Sequence, residues 1–146
     1  MRFASLGSGS EGNALLVEGV EGAGCVLIDC GFGLREAERR LRALSRLDAL
    51  VLECNHDLGL LEANRRYTAA LKRRIAGQWG HLGNGEAARI LASIDHTRLR
   101  TVVAAHLSRQ NNRPELARAA LAPVFDGDPS GLQVADQDNG IGWIAV

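Results

Sequence analysis

Glycines close to the start of the chain constrain its fold more than any other sequence feature. Gly7, Gly9 and Gly12 form a G-x-G-x-x-G pattern within LGSGSEGNALLVEG, residues 6–19, directly after an apolar run. Asp29 ends the next apolar run about twenty residues later, where a dinucleotide-binding fold has its ribose-binding acid. Such a fold requires the third glycine to open a helix, because the helix N-terminus holds the pyrophosphate.

The residues after Gly12 do not have the pattern of a helix. They include Gly19, Gly22 and Gly24 and show no apolar stripe at helical spacing. Each glycine inside a helix costs about 1 kcal/mol relative to alanine. We therefore predict three strands joined by glycine-rich turns up to Asp29, with the glycines permitting tight turns. Nucleotide binding stays the minor alternative.

Beyond these strands the sequence alternates between helical and strand-like patterns. The spacing of Leu34, Ala37, Leu41 and Leu44 predicts an amphipathic helix. The alternation that follows predicts a single α/β domain over residues 1–146, with helices covering a sheet. The later strands are predicted over 48–54, 101–106, 131–135 and 141–146. The later helices are predicted over 84–94 and 111–122, and residues 58–76 are predicted to form one or two helices.

The helix over 84–94 has a recognisable start. Asn84 is of the residue type that caps helix N-termini, and we expect it to do so here. Glu86 then falls in the first turn, where a negative charge favours the helix dipole.

Composition excludes several classes of function. The 17 basic residues balance 17 acidic ones, so no overall field attracts nucleic acid or an anionic membrane. No apolar run approaches the roughly eighteen residues of a membrane span, and the N-terminus lacks the apolar core of a signal peptide. Cys25, Cys30 and Cys54 have no paired spacing, which favours reduced thiols. We expect a cytoplasmic protein without membrane contact.

One stretch of the chain is locally basic and is a candidate nucleic-acid surface. Residues 65–74 contain no acid. Their cations are Arg65, Arg66, Lys72, Arg73 and Arg74. A solvated helix face is the preferred explanation of such a stretch, because a single tyrosine among the charges gives little support for base stacking.

Three strand-like runs end on a side chain that can bind or react. Asp29, Glu53 and His106 each follow an apolar run, and ligands of α/β proteins bind at the carboxyl ends of strands. The adjoining loops add His56, Asp57 and His81. Structural explanations remain open: an acid after a strand can cap a helix, and histidines in loops, such as His81 and His96, can be turn residues. No spacing among these residues is a metal signature by itself.

Taken together, several stretches resemble the metallo-β-lactamase-fold hydrolases, and most of all their WalJ/YycJ-type branch of exonuclease-like phosphodiesterases. The stretches are FASLGSGSEGNALLVE, LIDCGFGLREAERRL, DALVLECNHD, LKRRIAGQWGHLGNGEAA, AAHLSRQNNRPELAR and ADQD. They occur in the order of the family and extend over almost the whole chain. The resemblance implies an αββα sandwich, in which the glycine turn lies beside the active site and binds no nucleotide.

The resemblance also implies a chemistry. In the family, two metal ions, zinc or manganese, hold a hydroxide that attacks phosphorus. His106 matches a metal-ligating histidine. Asp29 matches an acid that does not bind the metal directly but orients the residues of the metal site. Glu53 and His81 match residues that assist proton transfer and bind the phosphate in the related tRNA 3′-processing endonucleases. Three further residues match the family near the site without an assigned role: His56, Asp57 and Asn84.

One expected segment is missing from the sequence. Family members carry His-x-His-x-Asp-His and further metal ligands between the first helix and the strand that DALVLEC matches, whereas here the helix leads directly into that strand. With only 4 histidines in the chain, no other stretch supplies the motif. We predict a relative that has lost the two-metal site and holds no stoichiometric zinc or manganese.

The loss of central strands also predicts a homodimer, because it exposes sheet edges and core. Two alternatives are kept. One is an active enzyme whose site is rebuilt across a homodimer, and the other is a non-catalytic nucleic-acid-binding module.

Overall fold

The computed structural model describes residues 2–7, 14–19, 24–28 and 47–144. Three features with predictions attached lie outside these residues: the turn with Gly9 and Gly12, Asp29 with Cys30, and the amphipathic helix after Leu34. In the described part, six strands form one sheet in chain order. They are β1 (Arg2–Gly7), β2 (Ala14–Glu18), β3 (Cys25–Ile28), β4 (Ala49–Glu53), β5 (Thr101–Ala105) and β6 (Leu132–Val134).

The helices follow the predicted order. They are α1 (Leu58–Ala63), α2 (Ala69–Ile75), α3 (Asn84–Ser93) and α4 (Pro114–Leu121), with 3-10 turns at Ala122–Val124 and Pro129–Gly131. The region 58–76 thus contains two helices. Of the helices described, none combines the length and the apolar character that a membrane crossing needs.

The first three strands run antiparallel. Phe3 of β1 lies opposite Val17 of β2, and Leu16 of β2 lies opposite Leu27 of β3. The prediction of three N-terminal strands is confirmed. Because Ala14–Glu18 is a strand and not a helix, the glycine pattern lacks the helix N-terminus that would hold a pyrophosphate.

From β3 to β6 the strands run parallel, and one face of this sheet carries the core. Leu27, Leu50 and Val102 lie in register across β3, β4 and β5, and all three are fully buried. Helices α3 and α4 cover them with the buried residues Ala87, Ile90, Leu91, Ala117 and Leu121. Burial of each large apolar side chain contributes roughly 1.5–3 kcal/mol, so this helix-covered face fixes the positions of the strand ends.

The opposite face of the sheet is also apolar, and the C-terminal residues pass over it. Val26, Val51, Ile141 and Trp143 are among the residues that line a groove there of about 440 Å³. The prediction of a closing strand is wrong for residues 141–144, which form no strand. A tight turn is the reason: Asp136 and Gly140 exchange two backbone hydrogen bonds of 2.9 Å, and the chain beyond leaves the sheet edge.

The start of α3 differs from the prediction. Gly83, not Asn84, is the N-cap, and no side chain caps the helix. Asn84 is instead the first residue of the helix, and its side-chain amide bonds to Asn112. Capping was therefore the wrong role for Asn84, because a buried amide partner from another loop competes for its side chain. Glu86 lies in the first turn, as predicted.

A buried acid fixes the amino end of β4. Asp48 accepts two hydrogen bonds from Arg98, at 3.0 and 2.7 Å, and one from the Cys25 N–H at 2.8 Å. Burial opposes ionisation of Asp48, but these hydrogen bonds and the guanidinium charge lower its pKa below the ordinary value. The Asp48 cluster ties β3, β4 and the loop before β5 together.

The α/β class is confirmed for the described residues. An αββα sandwich requires a second sheet in addition to the one described here, and it stays a prediction.

Cys25 and Cys54 are free thiols, as predicted. Burial, followed by the nearby Glu53 carboxylate, raises the pKa of Cys54 to about 12, so this thiol stays protonated at neutral pH.

Candidate functional site

The candidate site lies where β4 and β5 end. Glu53 is the last residue of β4 and pairs with Ala105, and His106 follows directly after β5. Because parallel strands end at the same edge of a sheet, the two side chains meet there. His81 reaches the same point from the loop between α2 and α3.

A single carboxylate oxygen joins these three residues. Oε1 of Glu53 lies 2.7 Å from Nδ1 of His81 and 2.8 Å from Nδ1 of His106. The other oxygen of Glu53 accepts the Leu82 N–H at 3.3 Å. The Glu53 side chain is 8% exposed, whereas the imidazoles of His81 and His106 are 47% and 61% exposed. The site is therefore a buried acid with two accessible imidazoles.

The two imidazoles are close enough to act on one bound group. Their ring centroids are 5.3 Å apart and the ring planes meet at 73°. Glu53, His81 and His106 each offer a ligand atom, and these atoms all lie within 4.8 Å of one another. In the described part of the chain, this is the cluster of His, Cys, Asp and Glu side chains that could hold a metal ion.

The turn after α2 positions His81. Its backbone N–H donates to the carbonyl of Ile75, the last residue of α2, at 2.8 Å. The chain passes so close to α2 here that a Cβ on Gly80 would lie 2.1 Å from the Ile75 carbonyl oxygen. Glycine at position 80 is therefore required for His81 to reach Glu53.

His106 has an unusual backbone. Its φ is +59°, in the left-handed region that non-glycine residues rarely adopt. This conformation costs about 1 kcal/mol or more. The Asn55 side chain donates to the His106 carbonyl at 3.1 Å. This contact helps to hold the left-handed backbone conformation that directs the imidazole towards Glu53.

A network of asparagines, three buried and one partly buried, supports the site on the side of the protein interior. The amides of Asn84 and Asn112 bond to each other at 2.9 and 2.8 Å, and Asn112 also donates to the Cys54 carbonyl at 2.7 Å. Asn64 donates to the Asn111 side chain at 2.6 Å. The network joins the loops after β4 and β5 to α3. Of these residues, only Asn84 was predicted from the sequence. The adjacent pair Asn111 and Asn112 is the sequence feature that could have indicated the network.

His56 and Asp57 belong to this support and do not contact Glu53 in any hydrogen bond described. His56 is buried, its carbonyl accepts the Asn84 N–H at 2.8 Å, and its Nδ1 has no hydrogen-bond partner among the described residues. Burial lowers the pKa of His56, which favours the neutral ring; nearby Glu86 opposes this. Asp57 caps α1 by accepting the Leu60 N–H at 2.9 Å.

The predicted site residues therefore divide into three groups. Glu53, His81 and His106 come together where β4 and β5 end, and the roles that the resemblance gives them stay predictions. His56 and Asp57 lie in the loop after β4, and Asn84 is the first residue of α3. Asp29 lies outside the described residues. His96 is a loop residue away from the site, as expected, with Nε2 against the Leu91 carbonyl and Nδ1 3.5 Å from Asp126.

The basic stretch, residues 65–74, precedes His81 of the site along the chain. No carboxylate in the described part of the chain forms an ion pair with its arginines, which are Arg65, Arg66, Arg73 and Arg74. Lys72 donates to the Glu62 carbonyl at 2.5 Å. Trp79, which the sequence analysis did not single out, is 74% exposed in the turn between α2 and His81. Uncompensated cations and an exposed aromatic ring thus lie on one continuous segment next to the site.

Comparison with known proteins gives no matching family model. Two sets of curated relatives match in sequence. Exodeoxyribonuclease YycJ of Bacillus anthracis is 34% identical over 90 residues, which is 62% of this chain and 34% of the relative. Exodeoxyribonuclease WalJ of Streptococcus pneumoniae, strains D39 and R6, is 29% identical over 117 residues, which is 80% of this chain and 39% of the relative.

The aligned part corresponds to little more than a third of the length of these relatives. These similarities support the resemblance to the WalJ/YycJ branch that the sequence motifs indicated. In sequence, this chain is similar to part of the proteins named exodeoxyribonuclease YycJ and WalJ.

Proposed function

We propose that this chain is a nuclease-like hydrolase relative that keeps part of a phosphodiesterase site but has lost the two-metal centre. The contact of Glu53 with both His81 and His106 is the observation that carries the proposal. Residues matched to proton transfer and phosphate binding meet a residue matched to metal binding. The named activity of the relatives supports a nuclease ancestry.

The donor count supports loss of the two-metal centre. A two-metal hydrolytic site holds ions about 3.5–4 Å apart and uses several protein ligands for each. The described cluster has one carboxylate and two imidazoles. Cys54, the nearest thiol along the chain, is buried and protonated at neutral pH. These donors suffice for one ion, and no hydrolytic step through a metal pair is assigned to them.

Metal analysis together with an activity assay tests this proposal. The protein and its Glu53→Gln and His106→Ala variants are purified identically and assayed for manganese-dependent cleavage of a labelled oligonucleotide. We expect no cleavage above background that depends on either residue. Two metal ions per chain that survive dialysis, with cleavage lost in His106→Ala, would overturn the proposal and favour a rebuilt site.

A non-catalytic nucleic-acid-binding module is the second candidate. The unpaired Arg73 and Arg74 and the exposed Trp79 favour it, because cations combined with an exposed ring bind single strands without sequence preference. Binding to a labelled single-stranded oligonucleotide should weaken as salt rises. Trp79→Ala should reduce it, and Arg89→Gln should not, because Arg89 is paired with Glu86 on α3. Binding that does not depend on salt or Trp79 would exclude this candidate.

The homodimer remains a proposal as well. Exposed apolar residues on the partly covered sheet face and the C-terminal segment, Ile28, Ile141 and Trp143, support it. Light scattering over a wide concentration range tests it, and a monomer of 15.6 kDa throughout would contradict it.

A further inference from the structure

We propose that Glu53, His81 and His106 bind a single Zn²⁺ ion in an exchangeable three-ligand site. This inference rests on the proposed function in one respect, that the two-metal centre is lost. The one-metal site would use Glu53 and His81 as ligands, roles that the resemblance does not give them.

The donor set fits zinc. Two imidazole nitrogens and one carboxylate oxygen, with a fourth position left open, are a common ligand set for accessible zinc. Zinc binds these atoms at about 2.0–2.2 Å in a tetrahedron, which puts the donors about 3.3 Å apart. The two Nδ1 atoms lie 2.7 and 2.8 Å from Oε1 of Glu53. Separating each of these two pairs by about 0.5 Å would give the spacing that zinc needs, and the ligand atoms of the two imidazoles lie within 4.8 Å of each other.

The protein holds the three donors in place without an ion. Glu53 is fixed at the end of β4, and the Leu82 N–H occupies its second oxygen, which leaves Oε1 for the imidazoles. His81 is fixed by the hydrogen bond of its N–H to α2, and His106 by its left-handed backbone. Because little rearrangement is required, little binding free energy is lost in ordering the ligands.

Access to the site makes the ion exchangeable. Both imidazoles are about half exposed, and the described cluster contains no fourth protein ligand. Water therefore completes the coordination, and a three-ligand ion open to solvent leaves on dialysis against a chelator. The purified protein is then free of stoichiometric metal and still takes up zinc when it is supplied.

Titration of Zn²⁺ into chelator-dialysed protein, followed by calorimetry, tests the proposal. We expect one ion per chain. Glu53→Gln and His81→Ala should each weaken binding at least about tenfold. His96→Ala is the matched control, because it removes an imidazole away from the site, and it should bind zinc as the wild type does. Co²⁺ titration gives a second readout, since its visible absorption reports the number and geometry of ligands.

The outcomes separate this inference from the proposed function. No zinc binding, or binding weakened equally by His96→Ala and His81→Ala, overturns the one-metal site and leaves the loss of the two-metal centre intact. Two ions per chain overturn both. Circular dichroism checks that each variant is folded; if Glu53→Gln is not, His81→Ala decides, because this half-exposed side chain lies in a loop.

Discussion

The two ends of β4 show how the same kind of residue can be put to different uses. Asp48 directly precedes the strand and Glu53 ends it, and both carboxylates are buried. Asp48 is bound by the guanidinium of Arg98, which is charged at every pH that the protein meets. Glu53 is bound by two imidazoles, which are charged only when protonated. One acid has a permanent counter-ion, and the other has partners that can also bind protons or metals.

The difference teaches where stability and chemistry are located in this molecule. At the amino end, the partners of Asp48 come from the backbone of β3 and the loop before β5, so they hold strands together. At the carboxyl end, stability comes from the asparagine network behind the site, and Glu53 faces accessible side chains. We therefore expect substitutions at the two ends to have different effects.

The largest effect is expected for Asp48→Ala. It removes the acceptor for the partly buried Cys25 N–H and the counter-ion of Arg98, and we expect a loss of about 3 kcal/mol in the free energy of unfolding. Urea denaturation measures it. Asp128→Ala is the control, because Asp128 bonds only within its own exposed turn. Similar losses of unfolding free energy in the two variants would show that Asp48 has no special role in stability.

The next effect is expected at the other end of the strand. Asn112→Ala leaves the Cys54 carbonyl and the Asn84 amide without a buried partner, which should cost about 2 kcal/mol. Asn139→Ala, in an exposed turn, should cost much less. The measurement is again urea denaturation, and an Asn112→Ala variant as stable as wild type would show that the network does not support the site.

The stability contributed by Asp48 should depend on pH. Since its folded pKa is lowered, the unfolded chain binds the proton first as pH falls. The contribution is complete above the ordinary aspartate pKa of about 3.9 and is lost as pH falls through the lower folded value. The stability difference between wild type and Asp48→Asn should therefore shrink below about pH 4. A difference that stays constant down to pH 2 would contradict this account.

The smallest effect is expected at the candidate site. His106→Ala removes one hydrogen bond to Glu53 and should lower stability by about 1 kcal/mol. Glu53→Gln keeps the shape of the side chain and should cost a similar amount. If either variant lost as much stability as Asp48→Ala, the carboxyl end of β4 would be structural and not a site.

Local patterns allowed most of the fold to be predicted. Strands β2 to β5 and helices α3 and α4 follow apolar runs or helical spacing that lie within each segment. The prediction failed at residues 141–144 because an apolar run does not by itself indicate which strand it would pair with. Residues 141–144 line the groove on the sheet face but form no strand, and Ile141 and Trp143 stay exposed.

The candidate site was predictable in its members but not in its arrangement. Glu53 and His106 could be found because each ends a strand, and His81 because it lies in an adjoining loop and matches a residue of the family. That both imidazoles share one oxygen of Glu53 depends on contacts across 28 and 53 residues of sequence. The same applies to Asn84, which was assigned to capping because its partner Asn112 is 28 residues away.

The left-handed backbone of His106 has a consequence for mutational drift. Glycine adopts this conformation without strain, so His106→Gly relieves a local cost while removing the imidazole. In a population where the side chain has no use, glycine or asparagine should replace histidine readily at this position. Histidine that persists there among natural variants would mean that selection acts on the ring itself.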